Sequence, residues 1–210
     1  MMATDPVPPP GPAPPAHPAQ RTDAGARTAE GVDEATLAGR ARAGDRAAFG
    51  ELVRRYADQA RRVARAVLRD PEDADDAAQD AFLSALVKLQ QYDPSRPFGP
   101  WLMRIVANAA TDRRRRRRVR RAETLDEGLL AGGHRPDEVA EREVLGERLR
   151  QALAELPERR RMAVVLFDVE GYSHAEIGGI LGMPEGTVRS EVFHARRRLR
   201  ALLAEWRDGG

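Results

Sequence analysis

The stretch GYSHAEIGGILGMPEGTVRSEVFHARRRLRALL, residues 171–203, holds the most specific local pattern of this chain. It predicts a short helix, about His174 to Leu181, a tight turn at Gly182-Met183-Pro184, and a longer helix through Trp206. The pair Gly178-Gly179 is expected to weaken the short helix by ~1 kcal/mol per glycine relative to alanine. A short helix, a tight turn and a long helix make a helix-turn-helix, whose second helix normally enters the major groove of DNA.

Two side-chain pairs mark the start of the short helix. Ser173 and Glu176 stand at capping-box spacing, so each side chain can satisfy the other's free backbone donor. Tyr172 and Ile177 flank this box as a hydrophobic staple. Together the pairs predict that the helix begins directly after Ser173.

The long helix has an apolar side and a polar side. Apolar residues recur on the side that should pack inside the domain: Val188, Val192, Ala195, Leu199, Leu202 and Trp206. Residues that can bind DNA stand on or beside the other side: Thr187, Arg189, Ser190, Phe193, His194 and Arg197. Arginine, serine and histidine bind base edges or phosphates, and Phe193 could touch a thymine methyl or a protein partner. The alternative for this pattern is a plain αα-hairpin without DNA contact.

Upstream, the periodicity predicts four more helices. The first spans about Glu34 to Ala43, and the second follows an N-cap at Asp45. The third starts at Asp70-Pro71 and the fourth at Trp101. The packed side of the third helix is predicted to hold Ala74, Ala77, Ala78, Ala81, Phe82, Ala85, Leu86 and Leu89.

A loop is predicted between the third and fourth helices, at Gln91 to Pro100, because the segment QYDPSRPFGP contains three prolines and a glycine. Tyr92 and Phe98 are expected to be exposed there. With Trp101 they can either cap a small core or stack on nucleic-acid bases.

Charges are sorted along the chain although the net charge is only +2. Residues 70–80 (DPEDADDAAQD) carry six carboxylates and no base, whereas residues 113–121 hold eight arginines in nine positions. The arginine run continues a polar stripe of the fourth helix, at Arg104, Asn108, Thr111, Arg115 and Arg118. This asymmetry suggests two different partners. Alone, the acidic segment would be a solvated helix face and the arginine run a solvated or RNA-binding arm.

These patterns divide the chain into an all-α protein of two small domains joined by a flexible linker. A Pro/Ala-rich tail, expected to be disordered, spans residues 1–32, and the first domain spans 33–121. The linker spans 122–136, the second domain 137–206 and a short tail 207–210. The first helix of the second domain, about Asp137 to Leu156, is predicted to bury the row Leu145, Leu149, Leu153 and Leu156. The next helix is predicted from about Glu158 to Val169.

Composition excludes several classes of function. The chain has no cysteine and four widely separated histidines, so no metal site and no cofactor are expected. No nucleophile set or phosphate-binding loop supports an enzyme. No apolar run approaches the ~20 residues of a membrane span, so we expect a soluble, cytoplasmic protein without membrane insertion.

Three motifs together resemble a known family. In order, DPEDADDAAQDAFLSAL, YDPSRPFGPWLMRIVANAATDRRRRR and ALAELPERRRMAVVLFDVEGYSHAEIGGILGMPEGTVRSEVFHARRRLRALL are similar to three segments of bacterial RNA polymerase sigma factors of the extracytoplasmic-function (ECF, group IV) family. These are the polymerase-binding helix, the minus-ten recognition segment and the minus-thirty-five recognition domain. The resemblance covers about Asp33 to Leu203. Within it, Glu191 and Phe193 depart from residues common at their positions.

The resemblance implies a non-enzymatic subunit that binds core RNA polymerase, recognises two promoter elements and helps to melt the DNA. It implies that promoter DNA is a partner, that an anti-sigma factor can be another, and that the chain acts as a monomer within the holoenzyme. Polymerase contact is implied for Asp73, Asp76, Gln79, Asp80 and Phe82. Minus-ten contact is implied for Tyr92, Arg96, Phe98, Trp101, Arg104, Asn108, Thr111, Arg115 and Arg118. Minus-thirty-five contact is implied for Thr187, Arg189, Ser190, Phe193, His194 and Arg197.

Two other functions compete with this interpretation. A stand-alone helix-turn-helix regulator, with residues 33–121 as a sensor or dimerisation domain, would bind a palindromic site as a symmetric dimer. An RNA-binding adaptor acting through the arginine run would keep its affinity after deletion of the C-terminal domain.

Overall fold

The architecture was taken from a computed structural model, which describes the backbone of residues 33–124 and 141–208 and the side chains of residues 33–120 and 145–204. Within these ranges every regular element is helical and no strand occurs. The N-terminal bundle consists of α1 Glu34–Arg42, α2 Arg46–Arg65, α3 Pro71–Lys88 and α4 Phe98–Thr124. The C-terminal bundle consists of α5 Glu141–Ala154, α6 Glu158–Val164, α7 His174–Leu181 and α8 Glu185–Asp208. The predicted N-terminal tail, residues 209–210 of the predicted C-terminal tail, and the predicted linker beyond Thr124 lie outside the described residues. Residues 207–208 of the predicted C-terminal tail continue α8.

Helix starts in the N-terminal bundle follow local rules. Asp33, Asp45 and Asp70 are the N-caps of α1, α2 and α3, and each side chain accepts hydrogen bonds from backbone N–H groups of the first turn. Pro71 occupies the first position of α3. The predicted starts of these three helices are therefore confirmed.

Helix α4 begins three residues earlier than predicted. Pro100 lies within the first turn, where backbone N–H groups need no partner inside the helix. The N–H of Phe98 instead donates to the carboxylate of Glu34 at 2.8 Å. A tertiary hydrogen bond thus extends the helix through a segment whose prolines and glycine had predicted a loop. The loop that remains follows a 3-10 turn at Leu89–Gln91.

The two aromatic residues of the predicted loop are buried, which contradicts the prediction that Tyr92 and Phe98 are exposed. Both rings lie in the apolar core and contact Trp101, with ring centroids 5.2 and 5.3 Å from its centroid. Burial raises the pKa of Tyr92 to about 12, so its hydroxyl stays a donor and bonds to the carbonyl of Arg96. Of the two alternatives, capping a small core or stacking on nucleic-acid bases, the first therefore fits Tyr92 and Phe98.

The apolar row predicted for α5 is only partly buried. Leu156, just beyond the helix, is buried and Leu153 packs against the same cluster as Val164 and Ala195. Leu145 and Leu149 are 62% and 42% exposed, so their predicted burial is wrong. The contact of α5 with α6 and α8 is made by its C-terminal end.

Helix α6 passes into one turn of π-helix, Val165–Val169, before the chain turns at Gly171, whose φ of 77° suits glycine. Helix α7 then begins as predicted, with the capping box of Ser173 and Glu176 fully formed. Gly182 ends α7 in the left-handed conformation. The helix-turn-helix is thus encoded locally and confirmed.

The two bundles pack against each other. α7 lies on α4, and the π-helical turn lies on α2. Met162, Leu166, Tyr172 and Ile177 of the C-terminal bundle share one buried apolar cluster with the N-terminal bundle. The sequence patterns contain no signal for this contact.

Candidate nucleic-acid interface

One side of α4 is polar and solvent-facing. Arg104, Asn108, Arg115 and Arg118 are exposed, and Thr111 between them is half-buried. The opposite side is the packed one, with Leu102, Met103, Val106 and Ala110 fully buried. The structure therefore brings the predicted stripe together as one surface, which we call the α4 face.

The arginine run is divided between two surfaces. Arg113 donates to Asp73 at 3.0 Å and to Asp76 at 2.7 Å. Arg117 donates to Asp73 and lies 3.6 Å from Asp70. These two arginines fasten α4 to the acidic helix α3. Arg115 and Arg118 have no ion-pair partner among the described residues and remain available to a ligand.

Asp73 is mostly covered by these arginines, and its side chain is 18% exposed. Burial by itself raises the pKa of Asp73, but the hydrogen bonds and charges of Arg113 and Arg117 outweigh burial and hold the pKa below its usual range. The carboxylate points at α4 rather than outward. Asp76 and Asp80 remain more than half exposed.

Replacing Asp73 with asparagine is expected to lower the free energy of unfolding by about 1–2 kcal/mol at pH 7, because two charge-assisted interactions are lost. A lowered folded-state pKa stabilises the fold above the unfolded-state pKa of about 3.9, and this contribution is lost as pH falls through the folded-state value. Urea denaturation at pH 7 and pH 3 should show the difference between the two proteins shrink at the lower pH. A difference in the free energy of unfolding that stayed the same at both pH values would contradict this account. The control is Asp76→Asn, which should cost less because Asp76 pairs with one arginine, Arg113.

A small pocket opens beside the loop before α4. It has a volume of about 180 Å³ and is lined by Gln91, Tyr92, Asp93, Arg96 and Trp101. Its wall combines the half-buried indole of Trp101 with amide, carboxylate and guanidinium groups. Three of the predicted minus-ten residues, Tyr92, Arg96 and Trp101, therefore line one pocket. Phe98 is 1% exposed and is not among the residues that line it.

The outer side of α8 is a second polar surface. Its packed side is confirmed, with Val188, Val192, Ala195 and Leu202 buried; the side chain of Trp206 lies outside the described residues. The exposed residues, which we call the α8 face, are Thr187, Arg189, Ser190, Phe193, His194 and Arg197. The Phe193 and His194 rings contact each other edge to face, with centroids 5.5 Å apart.

Two charged residues of α8 form ion pairs with other residues of the C-terminal bundle. Glu191 accepts a hydrogen bond from Arg160 at 2.8 Å, so its negative charge is compensated by α6. Arg196 binds Asp168 and lies 5.0 Å above the ring of Phe167. Glu191, which departs from the family pattern, therefore has an intramolecular role in the free chain.

The exposed side of α3 carries functional candidates that sequence reasoning missed. Gln79 and Asp80 are exposed as predicted, while Phe82 is half-buried against the core. Leu83, Leu86 and Val87 are 65%, 48% and 81% exposed, which corrects the assignment of Leu86 to the packed side. Their spacing of three and four residues was the available signal, but only Leu86 had been assigned to a side, and that was the alanine-rich packed side. We call Asp76, Gln79, Asp80, Leu83, Leu86 and Val87 the α3 face.

Within the described ranges no cluster of histidine, aspartate or glutamate is arranged to hold a metal ion. None of the described helices is both long and apolar enough to cross a membrane.

Over the residues that the structure describes, the fold is that of an all-helical protein of two bundles, the second of which contains a helix-turn-helix. The Sigma-70 region 2 family model matches residues 52–120, and the Sigma-70 region 4 model matches residues 146–199. The ECF RNA polymerase sigma factor SigM of Mycobacterium tuberculosis is 40% identical over 176 residues, 84% of this chain and 87% of SigM. SigW of Bacillus subtilis is 31% identical, covering 79% of this chain and 94% of SigW.

Solved structures agree with these matches. The structure of CnrH in complex with the cytosolic domain of CnrY has a TM-score of 0.63 and 31% identity, covering 82% of this chain and 97% of CnrH. RpoE in complex with the anti-sigma factor NepR from Bartonella quintana, at 23% identity, shares the fold with a TM-score of 0.66, covering 74% of this chain and 96% of RpoE. The chain belongs to the ECF family of RNA polymerase sigma factors, and it directs transcription as a sigma factor.

Proposed function

We propose that this sigma factor docks on core polymerase through the α3 face, binds the minus-ten element through the α4 face and the minus-thirty-five element through the α8 face. The observation that carries the proposal is the presence of three separate exposed surfaces of different chemistry on one helical scaffold. Bond formation is left to the polymerase, so the chain acts without catalysis of its own, in the cytoplasm with the polymerase.

The α3 face suits a protein partner. Three exposed apolar side chains adjoin Asp76 and Asp80, so the surface has an apolar half and an acidic half. Contiguous exposed apolar groups rimmed by polar ones mark protein interaction sites. Among the earlier candidates, Asp76, Gln79 and Asp80 fit direct contact, whereas Asp73 fits a role in holding α4.

The α4 face and the adjoining pocket suit a melted minus-ten element. Arg115 and Arg118 supply phosphate contacts, and Arg104 and Asn108 supply donors for base edges or backbone. An unstacked base needs an aromatic platform, and Trp101 in the pocket wall provides one. Tyr92 supports this pocket from the core side.

The α8 face suits the major groove of the minus-thirty-five element. Arg189, Ser190, His194 and Arg197 present donors on the outer side of the second helix of the motif, and Phe193 presents an apolar group that fits a thymine methyl. An anti-sigma factor is also a proposed partner, because CnrH and RpoE were solved in complexes with CnrY and NepR.

Reconstitution with core polymerase followed by mapping of transcript start sites tests the proposal. We expect start sites that share two upstream elements and depend on this chain. A stand-alone regulator would instead bind promoter DNA equally well without core polymerase, and as a dimer.

Two single substitutions separate backbone contact from base contact. Arg115→Ala should weaken promoter binding by the holoenzyme on all sequences and reduce the slope of log K against log salt by about 1. Arg197→Ala should cost about 1–3 kcal/mol and also relax base preference within the minus-thirty-five element. Binding titrations on promoter variants at several salt concentrations measure both effects. Uniform effects of Arg197→Ala on every sequence would remove Arg197 from base recognition. The control inside the arginine run is Arg116→Ala, an exposed residue outside the α4 face.

A further inference from the structure

The first turn of α4 is held by a residue of α1. One carboxylate oxygen of Glu34 accepts the hydrogen bond from the backbone N–H of Phe98 at 2.8 Å. The other oxygen accepts a hydrogen bond from the hydroxyl of Tyr56 on α2. Phe98 is the first residue of α4, where backbone N–H groups have no acceptor inside the helix. Glu34 therefore caps α4 from a position 64 residues away in the sequence.

The charge and surroundings of Glu34 suit this role. A carboxylate is stabilised near the positive end of a helix dipole, and Glu34 stands in the first turn of α1 as well as at the start of α4. Burial, followed by the charge of Glu34, raises the pKa of Tyr56 far above its usual range, so its hydroxyl stays protonated and donates to the carboxylate. A Cβ atom on Gly99 would lie 2.9 Å from that hydroxyl. Tyr56 thus reaches the first turn of α4 because residue 99 has no side chain.

The same turn of α4 carries part of the wall of the pocket beside the loop. Trp101 and Tyr92 line this pocket, and Phe98 contacts both, with ring centroids 5.3 and 5.4 Å away. The ring of Phe98 also lies 5.7 Å from that of Tyr56, centroid to centroid. Glu34 is not among the residues that line the pocket, so it can affect a ligand there only through α4. Trp101 stands about one helical turn after Phe98, so the placement of its indole depends on the anchored N–H.

The remaining contacts of the loop are local. The hydroxyl of Tyr92 donates to the carbonyl of Arg96, and Asp93 accepts hydrogen bonds from the N–H and the hydroxyl of Ser95. These bonds fix the shape of the loop, but they do not fix its position relative to α1 and α2. The hydrogen bond from Phe98 to Glu34 supplies that link.

We propose that Glu34 is a positioning residue for minus-ten recognition: it sets the first turn of α4, and with it the indole of Trp101, to receive an unstacked base. This inference rests on the proposed function, which assigns the pocket to a melted minus-ten element. A binding group has to be held within about 0.5 Å of its productive position by the residues that support it. Loss of the anchor should therefore weaken binding of single-stranded minus-ten DNA. The α3 and α8 faces lie on other helices, so binding of polymerase and of the minus-thirty-five element should be kept.

Binding of holoenzyme to two forms of one promoter tests the proposal. A promoter found by mapping transcript start sites is prepared fully paired, and as a fork in which the minus-ten element is single-stranded. Glu34→Ala removes both acceptor oxygens and should lower the affinity for the fork about tenfold, equivalent to about 1.4 kcal/mol. The affinity of holoenzyme for the paired promoter, and of the chain for core polymerase, should change by less than about twofold.

Three further variants separate positioning from stability. Glu34→Gln keeps a side-chain carbonyl that can accept from Phe98, so it should restore the affinity for the fork to within about threefold of wild type. Tyr56→Phe removes only the hydroxyl bound to Glu34 and should give a smaller loss of the same kind. The matched control is Asp33→Ala, which removes the N-cap of α1. It should lower the thermal midpoint of unfolding but leave binding to the fork unchanged.

Each outcome decides for or against the proposal. Wild-type affinity of Glu34→Ala for the fork, with a normal helical spectrum, would overturn it. So would an equal loss in Asp33→Ala, because the effect would then follow from the stability of α1. If Glu34→Ala does not fold, wild-type binding by Tyr56→Phe would overturn it instead. Failure of the proposed function is distinguishable: wild-type holoenzyme would then bind the fork no better than paired DNA, and Trp101→Ala would change neither affinity.

Discussion

Replacing Gly178 with alanine is expected to destabilise the C-terminal bundle by about 1–3 kcal/mol, although alanine is the better helix former. A Cβ atom at Gly178 would lie 2.7 Å from the backbone carbonyl oxygen of Met183, in the turn between α7 and α8. That carbonyl cannot rotate away as a side chain could, so the turn itself must shift. The N–H of Met183 also donates to the carbonyl of Gly178 at 3.0 Å, which ties the two segments together. We therefore expect a lower midpoint in urea denaturation and weaker promoter binding.

The neighbouring glycine is the matched control. Gly179 is exposed in the same helix, and a Cβ atom there would meet nothing within 4 Å. Gly179→Ala should therefore stabilise the protein by about 0.5–1 kcal/mol through helix propensity alone. Equal shifts of the denaturation midpoint for the two variants would refute the role assigned to the close approach. Gly178 is thus a packing requirement, whereas the sequence pattern had treated both glycines as equally weakening.

Introducing arginine at Leu83 is expected to reduce the affinity for core polymerase at least about 100-fold, equivalent to about 2.7 kcal/mol. Leu83 lies in the middle of the α3 face and is 65% exposed in the free chain. Burying an unpaired charge against a partner is costly, while an exposed position tolerates it in the free protein. Fluorescence anisotropy of the labelled chain titrated with core polymerase measures the affinity, and thermal unfolding should be nearly unchanged.

Ala47→Arg provides the comparison for this experiment. Ala47 is exposed in the first turn of α2, outside the three proposed surfaces, so this variant should bind core polymerase like wild type. If Leu83→Arg bound equally well, the apolar half of the α3 face would have no part in docking. Asp80→Arg, on the acidic half, should also impair binding while leaving the fold intact.

Part of the site was predictable because its signals are local. The exposed sides of α4 and α8 follow from helical periodicity, since a residue's face depends only on its spacing from apolar neighbours. The exposed apolar residues of α3 were harder to assign. The packed side of α3 consists of small, buried alanines, whereas the larger Leu83 and Val87 lie on the exposed side. Residue size and hydrophobicity alone therefore point to the wrong side of this helix.

The sequence by itself determined where most helices lie, the N-caps of α1, α2 and α3, and the helix-turn-helix, because a capping box, N-cap aspartates and apolar stripes act within a few residues. The start of α4 instead depends on the tertiary hydrogen bond from Phe98 to Glu34. Tertiary structure decided which of the eight arginines are available: Arg113 and Arg117 pair with α3, whereas Arg115 and Arg118 do not. It also decided the burial of Tyr92 and Phe98, and the pairing of Glu170 with Arg62 across 108 residues. Such contacts join segments distant in sequence, so they depend on how whole helices pack and leave no periodic signal in the chain.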